Sequence, residues 1–94
     1  MECREVIYSG HAVRRMFERA INKDAVKQVI QAGEVIAEYP DDTPYPSYLM
    51  LGFDDETAIH VVASMDSDTA NCYVITVYQP DPILWESDFR TRRS

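Results

Sequence analysis

The hydrophobic periodicity of this chain changes once along its length, and that change dictates the kind of fold it can adopt. Between His11 and Ile21 the apolar residues Val13, Met16, Phe17, Ala20 and Ile21 recur at i, i+3, i+4, i+7 and i+8, the stripe of an amphipathic helix turned toward a core. Beyond Gly33 the spacing becomes that of short β-branched and aromatic runs. Helices followed by strands predict an α+β domain.

The punctuation agrees with this division. Ser9 is placed to cap the first helix, and Asn22 to cap a second one that buries Val26, Val29 and Ile30. Gly33 suits a left-handed C-terminal cap. An extended segment from Glu34 to Tyr39 runs into Pro40–Pro46, where three prolines in seven residues preclude a helix or a central strand. Ser47–Phe53, Ala58–Met65 and Cys72–Tyr78 then read as an antiparallel meander joined by two polar hairpin connections. Pro80 and Pro82 end the last strand. Ile83, Leu84 and Trp85 are expected to pack on the sheet edge, and the tail from Arg90 to fray. With 94 residues the chain holds one domain, its core running from about residue 7 to 85 and an Arg-rich tail covering 86–94.

Charge argues in two directions. The net charge of -7 disfavours a general nucleic-acid binder. Its distribution is uneven, however, since every Lys and Arg lies before Gln28 or after Phe89, which permits a basic face on an acidic body. Residues 1–8 lack the pattern of a secretory signal, and the apolar runs are too short to span a bilayer. Cys3 and Cys72 stand in no paired spacing, so two free thiols, no metal site and no cofactor are expected. These features predict a cytoplasmic protein with no membrane partner.

The run His11-Ala12-Val13-Arg14-Arg15-Met16-Phe17-Glu18-Arg19-Ala20-Ile21, with Tyr39-Pro40-Asp41-Asp42, His60-Val61-Val62 and Ile75-Thr76-Val77-Tyr78, resembles the DUF4258 family of domains of unknown function. The resemblance covers roughly residues 7 to 85, and H-A-x-x-R-M-x-E-R is its most specific part. Ala20 stands where the family more often has glycine, a difference that bears on the helix exit. That family looks like a relative of RelE-like and BrnT-like toxins. The resemblance therefore implies two N-terminal helices packed on a four-stranded antiparallel sheet. It also implies the toxin of a type II toxin-antitoxin system, an endoribonuclease with RNA and a cognate antitoxin as partners.

Cleavage of RNA by its own 2′-hydroxyl, without a metal, needs a proton acceptor, cations for the charged phosphorane and a proton for the leaving oxygen. His11, in a first helical turn where the macrodipole favours neutral imidazole, is the candidate base. The alternative is a surface histidine that helps cap the helix. Arg15 is the candidate phosphorane partner, with Arg14, Arg19 and Arg90 as RNA-binding cations. A solvated Arg–Glu18 pair is the plainer account of Arg14 or Arg15. His60 and Tyr78 complete the catalytic candidates, although a core histidine and an aromatic strand end explain them as well. The competing function is a non-enzymatic interaction module on the same scaffold.

Overall fold

A computed structural model describes all of residues 1–94. Its elements run β1 (Glu5–Tyr8), α1 (Gly10–Glu18), α2 (Lys23–Ala32), β2 (Glu34–Tyr39), β3 (Ser47–Asp54), β4 (Thr57–Met65) and β5 (Asn71–Tyr78). The strands form one mixed sheet in the order β1-β5-β4-β3-β2. β3 through β5 are the predicted antiparallel meander, and the extended segment β2 pairs antiparallel with β3. The fifth strand, β1, lies parallel to β5 with Val6 opposite Cys72. The expected four-stranded antiparallel sheet is thus corrected to a five-stranded mixed one, and the toxin-type sheet falls with it. Four residues of mixed charge and apolarity carry too little alternation to declare a strand; β1 exists because β5 offers it an edge.

A bond between Cys3 and Cys72, 69 residues apart, fastens this strand to β5 and corrects the expectation of free thiols. The inference of a reducing compartment, which rested on those thiols, loses its support.

The N-caps are as predicted: Ser9 accepts the Ala12 N–H at 3.0 Å and Asn22 accepts the Ala25 N–H at 2.8 Å. The apolar stripe of α1 holds at Met16 and Ile21 but not at Val13 and Phe17. Ala12 and Met16 are its buried residues, while Val13 is 45% and Phe17 89% exposed. The helix stops at Glu18, so the stripe has too few turns to continue. Ile21 reaches the core through a reversal in which its N–H bonds Met16 and that of Ala20 bonds Phe17. Ala20 holds the left-handed position of that cap, φ 54°, where an L-residue is strained and glycine is not.

Gly33 departs from expectation in the other direction. Its φ of -75° is extended, not left-handed. A side chain there is excluded by space, because a Cβ would run into the Val29 carbonyl and come within 2.7 Å of the Leu51 carbonyl. This contact seats the end of α2 directly on β3.

The helices cover one sheet face. Val26, Val29 and Ile30 of α2 and Ala12 and Met16 of α1 meet Met50, Ile59, Val61, Ala63, Val74 and Val77 in a continuous core. The other face is covered differently, by the coil after β5. That coil does not fray: the Arg93 N–H bonds the Leu84 carbonyl at 2.9 Å, the Glu86 N–H bonds Thr91, and Arg92 bridges back to Trp85. Of the three residues expected to pack there, Trp85 alone is buried; Ile83 and Leu84 remain exposed. No helix is long and apolar enough to cross a membrane.

Candidate functional site

Where α1 starts against the end of β5, and the coil returns across the same edge, a groove of about 560 Å³ opens. α1 contributes His11, Arg15 and Arg19, which spacing of four residues stacks along one helix flank. β5 contributes Thr76 and Tyr78, and the coil Trp85 and Arg92. These side chains come from three parts of the sequence.

The local bonding explains their placement. Ser9, between β1 and α1, donates its N–H to the Val74 carbonyl and its hydroxyl to the Ile75 carbonyl. This fixes the start of the helix over β5 and leaves His11 Nε2 3.3 Å from the Thr76 hydroxyl. Arg19 donates to the Val77 carbonyl at 3.2 Å, which draws its guanidinium across the strand. Arg92 lies 5.5 Å from the centre of the Trp85 ring, a cation–π contact that keeps it beside the groove.

Three guanidinium groups and one imidazole face the groove, whose only acidic lining residue is Asp81. Asp81 is partly occupied by the Ile83 N–H at 2.9 Å. Arg15 is also bonded to Glu18 at 2.9 Å, but both side chains are substantially exposed and such a pair is weak enough to yield to a phosphate. Asp41, Asp42 and Glu38 do not line the groove. The chain is acidic overall, yet this concavity is basic.

Not every candidate residue comes to the groove. Arg14 lies outside its lining, about 100° around the helix from Arg15. Arg90 turns toward β2 and pairs with Glu34 at 2.9 Å. His60 is wholly buried on the coil-covered face, because alternation with Ile59 and Val61 points it away from the helices. Both its nitrogens are engaged, Nε2 with the Phe89 carbonyl at 2.7 Å and Nδ1 with the Tyr78 hydroxyl at 3.2 Å. A carbonyl only accepts, so Nε2 carries the proton and Tyr78 donates its own to Nδ1. The Tyr78 ring lines the groove, but its hydroxyl proton is directed inward. Burial pushes that phenol above its ordinary range, with Tyr39 adding to the rise and Arg92 opposing it.

Thr76 and Arg92 were missed as site residues. Thr76 follows an irregularity in the β4–β5 register at Val62/Ala63, which simple alternation cannot anticipate. Arg92 had a signal in the terminal arginines; which of them faces the groove depends on the Trp85–Arg92 bridge.

The chain belongs to the DUF4258 family, a domain of unknown function whose model matches residues 8–79. The match includes α1 and β5 and stops before Trp85 and Arg92; it also leaves out Cys3 and nearly all of β1. No curated protein and no solved structure matches the chain.

Proposed function

We propose that this chain is an endoribonuclease of the toxin type, which binds RNA in the basic groove and cleaves it by 2′-hydroxyl attack. The observation that carries this reading is the meeting of His11 with Arg15, Arg19 and Arg92 around one concavity. His11 accepts the 2′-hydroxyl proton, and the freed 2′-oxygen attacks phosphorus. The arginines stabilise the charge of the phosphorane. The P–O bond to the 5′-oxygen breaks, leaving a 2′,3′-cyclic phosphate. Because Tyr78 gives its proton to His60, the departing oxygen takes one from water or from the His11 imidazolium.

In this reading the family is a relative of RelE-like and BrnT-like toxins, and its H-A-x-x-R-M-x-E-R run supplies His11 and Arg15; the sheet lends that relation no support. A cognate antitoxin would silence the protein by covering the groove. This reading puts its action in the cytoplasm, with RNA.

The test compares purified wild type with His11→Ala and Arg15→Ala on a 5′-labelled RNA, with folding checked by circular dichroism. The expected result is cleavage to 2′,3′-cyclic ends, slowed about a hundredfold or more in each folded variant. Cleavage that survives both substitutions, or none from the wild type, overturns the nuclease reading.

One observation favours a second reading, a non-enzymatic interaction module. Phe17 stands 89% exposed with Val13 one turn away, on the flank of α1 opposite the groove. Loss of partner capture on Phe17→Ser, in a chain that cleaves no RNA, is the result expected of that module.

A further inference from the structure

The groove's outer wall is coil, and coil alone does not hold a binding surface in place. We propose that buried His60 is the positioning residue that pins this wall, and that its protonation releases Trp85 and Arg92 and so weakens RNA binding. The second half of this inference rests on the groove being the RNA site; the first does not.

The geometry is that of a pin through two layers. His60 stands on the central strand β4. One nitrogen bonds the Phe89 carbonyl in the coil at 2.7 Å, and the other accepts from Tyr78 on the neighbouring strand at 3.2 Å. Its ring meets Trp85 edge to face, with centroids 4.6 Å apart, and Tyr78 at 5.2 Å. Tyr78 and Trp85 both line the groove, and Arg92 rests against Trp85 from beyond. A single imidazole thus joins the strand, the coil and the two aromatic rings of the site.

Neutral imidazole satisfies this arrangement fully, since one nitrogen donates and the other accepts. A second proton turns the accepting nitrogen into a donor and places a charge in a wholly buried position. The groups packed directly on it carry no charge. Tyr78 lies across from it on β5 and Leu51 on β3, and Trp85 and Phe89 cover it from the coil. The charged groups next along are Arg92 beside Trp85, Glu34 of β2, which stands opposite Leu51 and is paired with Arg90, and Asp88 beside Phe89, which accepts the Arg90 and Thr91 N–H groups. Neither nitrogen contacts a carboxylate.

Burial accordingly holds His60 below the ordinary histidine range, with the bond to the Phe89 carbonyl opposing it in part. The folded, pinned state therefore binds fewer protons than the released one. Pinning is fully present above the ordinary histidine value and declines as pH falls below it.

Trp85 is the only tryptophan, so its fluorescence reports the wall without any ligand. Emission of the full chain is followed from pH 8 to pH 4.5 beside the histidine ring signals by NMR, and anisotropy of a fluorescein-labelled oligouridine is measured at both ends. The expected wild-type result is a red shift of Trp85 emission whose midpoint coincides with the His60 titration, with secondary structure retained. RNA affinity is expected to fall about tenfold, as for loss of one charge-assisted contact. In His60→Gln, whose amide can donate to Phe89 and accept from Tyr78 at every pH, the transition is expected to vanish.

A Trp85 transition that is absent, that persists in folded His60→Gln, or whose midpoint departs from that of His60 overturns the inference. If His60→Gln does not fold, the coincidence of the two wild-type midpoints decides alone. A coincident transition in a protein that binds no oligouridine at pH 8 supports the pin and overturns the RNA reading. A coincident transition with RNA affinity that does not fall overturns the coupling.

Discussion

The two faces of the sheet are built to different standards. On the helix side, side chains from α1, α2 and three strands interlock in an apolar core with little room for adjustment. On the other side one coil is held by Trp85, by the bond of His60 to the Phe89 carbonyl, by the Arg90–Glu34 pair and by backbone bonds within the coil itself. The groove lies where the helix start meets that coil, so one wall is rigid and the other is fastened at a few points. Rigid scaffolding with a tethered surface is a common way to carry a site. Here the stability of the fold and the shape of the site depend largely on different residues.

Replacing both Cys3 and Cys72 with serine tests whether β1 belongs to the rigid part. A cross-link closing a loop of this length is worth about 4 kcal/mol, so urea unfolding is expected to show a loss of that order. A loss under about 1 kcal/mol would mean that β1 is held by its hydrogen bonds and the covalent clamp adds little. Next in size, Ile30→Ala on the helix side should cost about 3 kcal/mol, because the cavity it leaves lies in a core that cannot close around it. Arg92→Ala should leave the unfolding midpoint nearly unchanged while weakening RNA binding about tenfold. If it destabilises as much as Ile30→Ala, the proposed division between the faces fails.

The smallest expected effect has the opposite sign. Ala20 occupies a left-handed helix cap, so Ala20→Gly should stabilise the protein by about 1 kcal/mol, read as a raised thermal midpoint. A neutral or destabilising result would show that the reversal between α1 and α2 is not strained.

What could be read from the sequence follows the same division. The N-caps, helix 2, the extended segment of β2 and the three-strand meander were legible because Ser9, Asn22, Val26, Val29 and the strand runs act through neighbours a few residues away. β1, the Cys3–Cys72 bond and the coil were not, since each exists only through contact with a distant element. Val13 and Phe17 misled for a related reason: periodicity gives a stripe but not where a short helix ends. At the site, His11, Arg15 and Arg19 could be foreseen from helical spacing on one flank. Arg14 and Arg90 were chosen by charge alone, and direction separates them from the groove. His60 was read both as a catalytic candidate and, from strand alternation, as a core histidine, and its register on β4 places it in the interior as the second reading had it.

The most direct test of the RNA groove is the salt dependence of oligouridine binding by wild type, Arg15→Ala, Arg92→Ala and Arg14→Ala. For single strands, each phosphate contact contributes about 0.7 to the slope of log affinity against log salt. The account predicts that Arg15→Ala and Arg92→Ala each lower the slope by about that amount, while Arg14→Ala leaves it unchanged. Equal slopes for all four proteins, or no binding by the wild type at low salt, would contradict it.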